Sequence, residues 1–198
     1  MSDKLKAYRG KRDFRKTAEP AGDDTPHQGG RRFVIQKHAA RNLHYDFRLQ
    51  VDNVLVSWAV PKGPSTDPRT RRLAIRTEDH PLDYATFEGV IPEGEYGAGT
   101  VLVWDQGEYR NLRAEKDDDG TDMAGALEEG LVEVWLEGDK LKGGYALKRI
   151  RGGHKPQWLL IKMDDDEADA RRRPTSTQPE SVQTGRGLED VADEEDGA

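Results

Sequence analysis

Between residues 33 and 163 the apolar positions fall in short runs broken by glycine, proline and charged residues, the rhythm of strands rather than helices. Eight segments carry it: RFVIQKH, LHYDFRLQV, VLVSWAV, RLAIRTE, GTVLVWDQGEY, GLVEVWLEG, GYALKRI and QWLLIKM. Eight strands in so small a span predict a mainly β fold, a closed or nearly closed antiparallel barrel with little helix. Two turns support hairpins, QVDNVL between the second and third segments and EGDKLKGGY further on. The clearest helix is DMAGALEEG, with Asp122 placed to cap its start and Gly130 to end it.

Alternation along LHYDFRLQV sends Tyr45, Phe47 and Leu49 to one face and His44, Asp46 and Arg48 to the other. The first face is core. The second carries titratable chemistry, and His38 can meet it across the AARN turn. Two imidazoles and a carboxylate on rigid strands leave coordination positions open, and such donors suit Mn, Fe or Zn better than Ca or Mg. On spacing alone, a solvent-facing strand surface accounts for the same residues. In RRLAIRTEDHPLDY, Arg72, Arg76, Glu78 and His80 share parity if the strand runs through them, with Leu73, Ile75 and Thr77 opposite. Arginines beside a metal would grip a phosphate, and a histidine there could donate a proton or hydrogen-bond a phosphoryl oxygen. Glu78 fits the orientation of an arginine, and cross-strand ion pairing is the plainer alternative. Lys62 follows a strand in a Pro/Gly turn, and glycines 89, 94, 97 and 99 permit tight turns or close backbone approach to a ligand.

Composition adds boundaries. The chain has 198 residues, 35% charged and 34% hydrophobic, enough for one modest domain with polar extensions and one core. Its net charge of −7 is uneven: residues 1–32 hold nine Lys/Arg against five Asp/Glu, residues 164–198 four against twelve. We expect a basic arm and flexible linker over 1–32, a barrel domain over 33–163, and a disordered acidic tail over 164–198. The absence of cysteine excludes disulfides and thiolate zinc sites. With no apolar run near 18 residues and no apolar leader, a soluble cytoplasmic protein without membrane contact is expected.

Five blocks, FVIQKHAARNLHYDFRL, SWAVPKGP, EDHPLDYATFEG, IPEGEYGAGTV and VWDQG, together resemble the phosphoesterase module of bacterial DNA ligase D, also found as stand-alone proteins. YRGKRDFRKTAEP in the arm and WLLIK near the end of the core extend the resemblance over roughly residues 5 to 163. It implies a manganese-dependent enzyme that heals DNA 3′ ends in end joining, on a small β-barrel with an active-site groove, acting on primer-template ends, including ribonucleotide-terminated ones. It removes a terminal ribonucleoside and then the 3′-phosphate, leaving a 3′-OH. By motif, His38, His44 and Asp46 correspond to the metal ligands. Arg48, Lys62, Arg72, Glu78, His80 and Tyr84 match phosphate-binding and catalytic positions. Gln36, Arg12, Asp13 and Glu19 match residues tied to activity, whereas Arg76 lies outside the pattern. The resemblance covers neither a polymerase nor an adenylating module, so a separate polymerase and ATP-dependent DNA ligase are the expected partners of a monomer that associates with the nucleoid when acting on DNA. Two other classes fit parts of the pattern. A 2-His-1-carboxylate iron oxygenase would take His80 as third ligand, but the crowd of Lys and Arg argues against it. A non-catalytic nucleic-acid-binding module has no need of the His38, His44 and Asp46 constellation.

Overall fold

The computed structural model describes residues 3–23, 29–116, 118 and 120–196. All eight expected strands form, joined by two short ones: β1 Arg32–Ala39, β2 Leu43–Val51, β3 Val54–Val60, β4 Arg71–Arg76, β5 His80–Pro81, β6 Gly89–Ile91, β7 Gly99–Asn111, β8 Leu131–Gly138, β9 Lys142–Arg151 and β10 Gln157–Lys162. Short helices lie between and beyond them: α1 Lys6–Gly10, a 3₁₀ turn at Leu82–Thr86, α2 Leu112–Lys116, α3 Met123–Glu129, α4 Pro174–Thr177 and α5 Leu188–Asp196. Asp122 caps α3 by accepting the Gly125 N–H at 2.7 Å, and Gly130 ends it in the left-handed region.

Eight antiparallel strands close the barrel in the order β1-β2-β3-β4-β10-β9-β8-β7, with β7 returning to β1. Closure depends on the length of β7, which pairs with β1 along its first part and β8 along its last. Gly107 sits at the handover, opposite both Phe33 and Gly138, where a Cβ would lie 2.0 Å from the Glu137 carbonyl oxygen. Inward residues including Phe33, Ile35, Phe47, Trp58, Leu102 and Trp104 fill the barrel.

A second, smaller core covers the outside of the wall. Outward residues of β1, β3 and β7 (Val34, Leu55, Val101, Val103) pack with Tyr8, Tyr84, Ala85, Phe87 and Ile91 from α1, the 3₁₀ turn and β6. Alternation cannot announce this layer, because here both faces of a strand are buried. The basic arm is therefore docked rather than free, with Leu5 and Tyr8 buried and the Tyr8 hydroxyl donating to the Pro20 carbonyl at 2.6 Å. Of the expected flexible linker, residues 24–28 lie outside the described residues.

The acidic tail also departs from expectation. Over its described part it is packed, not disordered: Trp104 donates its indole N–H to the Gln178 carbonyl at 2.8 Å, and the Val182 N–H meets the Val103 carbonyl at 3.0 Å. Glu88 accepts from the Ser181 and Thr184 hydroxyls and pairs with Arg186 at 3.0 Å. Few apolar residues suffice because they are well placed: Val191 of α5 is 1% exposed, while Glu189, Asp190 and Asp193 face water. Residues 197–198 lie outside the described part. No helix among the described residues is long and apolar enough to cross a membrane.

Val191→Ala removes two buried methyl groups from α5 while favouring helix, so it should lower the urea-unfolding free energy by about 1.5 kcal/mol. An unchanged midpoint would mean that the tail adds nothing to the fold.

Candidate active site

The antiparallel register of β1 and β2 sets His38 opposite His44 and Gln36 opposite Asp46. His38 donates its Nε2–H to the Gly97 carbonyl at 2.7 Å, and His44 its Nδ1–H to the Asn42 carbonyl at 3.1 Å. Those bonds leave lone pairs on His38 Nδ1 and His44 Nε2, which lie 3.5 and 3.4 Å from the same oxygen, Asp46 Oδ2. One potential ligand atom from each residue falls within 4.8 Å of the others. Two lone pairs and a carboxylate converging on one point repel unless a cation or a proton lies among them, and the two backbone carbonyls fix the rings as the outer partners of metal-binding histidines do. The donor set fits a divalent transition metal. Without one, a proton serves: burial lowers the His44 pKa, but the hydrogen bond and charge of Asp46 outweigh it and the net shift is upward. Burial would raise the Asp46 pKa, yet Arg48 and the two histidines hold it well below the usual carboxylate range.

Arg48 projects from β2 on the same face and is 2% exposed. Its Nη2 lies 3.4 Å from Asp46 Oδ2, its Nε donates to Gln36 Oε1 at 2.7 Å, and its Nη1 donates to Ser57 Oγ at 2.9 Å. The guanidinium also rests 4.9 Å from the centre of the Tyr84 ring. Gln36 works in both directions, its amide donating to the Tyr84 and Phe87 carbonyls at 2.7 and 3.1 Å and so tying the 3₁₀ turn to the wall. Ser57 escaped the sequence reading. Its signal was a lone hydroxyl in the otherwise apolar VLVSWAV.

β4 ends at Arg76, and the chain rejoins β3 through β5, where His80 pairs with Leu55. His80 is buried against Tyr8 and Tyr84, with ring centres 4.9 and 4.7 Å away. Its Nδ1–H is donated to the Glu78 carbonyl at 2.9 Å, so Nε2 is the acceptor that Arg12 Nη2 approaches at 3.5 Å. Burial, then Arg48 and Arg12, push its pKa well below the ordinary histidine value, so the ring is neutral. Arg12 also binds Glu19 at 2.9 Å and Glu78 at 3.4 Å. Glu19 is wholly buried and accepts from the Tyr84 hydroxyl at 2.8 Å and the Thr17 hydroxyl at 2.9 Å. Burial, with Glu19 next, raises the Tyr84 pKa well above its usual value. Tyr8, Thr17 and Lys11, which reaches Glu78 at 3.1 Å, also belong to this layer and were missed. No local pattern in the arm marks them.

Three expected residues stand apart from the cluster. Because the strand stops at Arg76, parity does not carry through to Glu78 and His80. Arg72 and Arg76 instead share the face of Ala74, which belongs to the barrel core. Arg76 rests on Trp58 and pairs with Asp79 at 2.7 Å, while Arg72 shows no bond to the cluster among the described residues, its Nε being buried without a partner. Lys62 is exposed in the turn after β3, two residues beyond the pair of Tyr45 and Val60, and also makes no described contact with the cluster. Asp13 binds Arg15 at 2.9 Å and accepts the Arg15 N–H, holding a turn of the arm rather than lining the site. His80 is not a ligand of the cluster in this arrangement, since both its nitrogens are engaged elsewhere.

A family model described as the DNA Ligase D 3′-phosphoesterase domain matches residues 36–149. The chain belongs to the DNA ligase D 3′-phosphoesterase family. It is 47% identical over 195 residues to the multifunctional non-homologous end joining protein LigD of Pseudomonas aeruginosa, covering 94% of this chain and 22% of that protein. The Mycobacterium tuberculosis LigD, a multifunctional non-homologous end joining DNA repair protein, is 48% identical over 168 residues, covering 84% of this chain and 21% of that one. The chain thus spans about a fifth of the length of the curated relatives it matches. The family match takes in the metal-type cluster, Arg48 and His80, but not the arm that supplies Arg12 and Glu19.

An imidazole that stays neutral in the phosphoesterase fold but binds a proton near pH 6.5 when unfolded makes stability fall as pH drops below about 6.5, by about 1.4 kcal/mol per unit. His44, shifted upward, acts above that pH, and Asp46, shifted downward, acts only in the carboxylate range. In chelator, His80→Gln should therefore flatten the stability slope between about pH 6.5 and 4.5 by roughly one proton. Urea unfolding across that range measures it, and parallel slopes for mutant and wild type would refute the neutral assignment.

Proposed function

We propose that this chain is a manganese-dependent phosphoesterase of DNA 3′ ends, removing a terminal ribonucleoside to leave a 3′-phosphate and then removing that phosphate to leave a 3′-OH for end joining. The observation that carries the proposal is the convergence of His38 Nδ1, His44 Nε2 and Arg48 Nη2 on one carboxylate oxygen, Asp46 Oδ2. A metal-ligand set and a rigid phosphate grip share one point. The family membership supports the same reading. Its substrates would be primer-template ends, with a separate ATP-dependent ligase and polymerase as partners.

His38, His44 and Asp46 would hold the metal, which supplies positive charge against a phosphoryl oxygen. Arg48 is locked by Gln36, Ser57 and the Tyr84 ring, so its guanidinium meets the developing charge without reorganising. In each step water adds at phosphorus, the bond to the departing sugar oxygen breaks, and that oxygen takes up a proton. His80 is neutral and its acceptor nitrogen, Nε2, faces Arg12 at 3.5 Å; once a bound phosphate draws Arg12 away, Nε2 would take a proton from the attacking water and return it to the leaving oxygen. Burial first, then the charges of Arg48 and Arg12, keep the ring unprotonated, and a bound phosphate would offset the part due to the arginines. Glu78, Glu19 and Tyr84 position Arg12, His80 and Arg48. Lys62, exposed on a turn, and Arg72 would reach phosphates of the bound strand beyond the reacting one.

A 5′-labelled DNA primer on a longer template, ending in one ribonucleotide, should shorten by one nucleoside to a 3′-phosphate and then to a 3′-OH when incubated with the protein and Mn²⁺. No processing of either end would sink the proposal. Oxygen consumption with Fe²⁺ and a keto acid would instead favour an oxygenase. Chelation should stop both steps, with Mn²⁺ restoring them better than Mg²⁺.

Asp46→Asn should weaken Mn²⁺ binding in calorimetric titration by roughly a hundredfold and abolish both steps. Near-normal affinity would remove Asp46 from the ligand set.

A further inference from the structure

Among the described residues Tyr96 is the only exposed aromatic, with 48% of its surface in water. The rings of Tyr8, Tyr84 and Phe87, by contrast, are buried in the outer core. Tyr96 stands in the 92–98 segment, which is folded by two tight turns in which the Glu95 N–H meets the Pro92 carbonyl and the Ala98 N–H meets the Glu95 carbonyl, each at 3.1 Å. The neighbouring residue, Gly97, is the one whose carbonyl fixes His38, at 2.7 Å. Gly97 adopts φ +78°, a left-handed conformation that glycine takes without strain and in which its carbonyl meets the imidazole.

The arm flanks the ring on its other side. Lys11 Nζ lies 4.6 Å from the ring centre and 3.4 Å from its hydroxyl, and the Arg12 guanidinium is 5.4 Å from the centre. Arg12 continues to His80. Tyr96 is thus one residue from the group that orients a metal-type ligand and one side chain from the proton-accepting histidine. Lys11 is partly exposed and uses two of its three N–H bonds, on Glu78 and Tyr96, leaving one for an anion. An exposed ring with cations at its edge offers a nucleotide both things it needs, a π-face for the base and positive charge for the phosphate.

We propose that Tyr96 is the platform on which the terminal nucleobase of the DNA 3′ end stacks, with Lys11 beside it to take a phosphate oxygen. This deepens the phosphoesterase reading and rests on it for the identity of the ligand. Stacking suits an end-healing enzyme because every base has a π-face, so affinity is gained without sequence preference. It also separates the two steps. A terminal ribonucleoside carries a base beyond the reacting phosphate, whereas a 3′-phosphate end carries none.

Tyr96→Ala should lower kcat/KM for ribonucleoside removal about tenfold, the effect of losing one base–aromatic stack, and leave 3′-phosphate removal within about twofold. Tyr96→Phe should retain the activity. A primer whose terminal ribose lacks a base should cost the wild type the same tenfold and cost Tyr96→Ala nothing more. Equal losses on ordinary and base-less ends would overturn the platform, since the ring would then act only through Lys11. A second readout needs no turnover: 2-aminopurine at the primer terminus should lose fluorescence on binding wild type and Tyr96→Phe, but not Tyr96→Ala saturated with the same primer. Identical quenching by Tyr96→Ala would overturn the proposal. Quenching by a wild-type protein that never cleaves would sustain the platform and sink the phosphoesterase reading alone.

Discussion

The guanidinium of Arg48 is a charge on the outside of a barrel wall that has almost no water to meet. A buried cation costs several kcal/mol unless its surroundings replace its hydration shell. The protein supplies Asp46 from the same strand, Gln36 and Ser57 from the strands on either side, and the Tyr84 ring from above. Each partner is then committed. Gln36 fastens the 3₁₀ turn, and the turn brings the ring whose hydroxyl needs Glu19. One ion therefore reaches through β1, β2 and β3 into a segment near the chain's beginning.

The outer layer completes what the wall cannot. Charges alternate across it, from Asp46 to Arg48 and from Glu19 through Arg12 to Glu78 and Lys11, at distances short enough that each stabilises its neighbours with little screening. His80 is placed between two of the cations and stays neutral for that reason as well as for its burial. The layer thus sets the electrical state of the imidazole while leaving its Nε2 lone pair in place. Specificity of position comes from the sheet, and specificity of charge from the cover.

Much of this was legible in the chain. Alternation through His44, Asp46 and Arg48 was clear because Tyr45, Phe47 and Leu49 interleave them, and register with β1 then brought in His38. Other features were hidden for identifiable reasons. Parity failed beyond Arg76 because the strand ends there and a new one begins four residues later. Local pattern could not reveal Ser57 as a partner of Arg48, since the pairing exists only once β2 and β3 lie side by side. The tail was misread from its average composition, which says little when a handful of apolar side chains and main-chain groups find waiting partners on the barrel.

The arm that carries Arg12 and Glu19 precedes in the chain every element it docks on, since its docking surface is made of β1, β3, β7 and the 3₁₀ turn. During synthesis, Tyr8 has nowhere to go until more than a hundred residues have followed it and the wall has closed. A barrel whose arm has not docked keeps the metal-type triad but lacks the charges around His80, so the candidate site is whole only when the fold is.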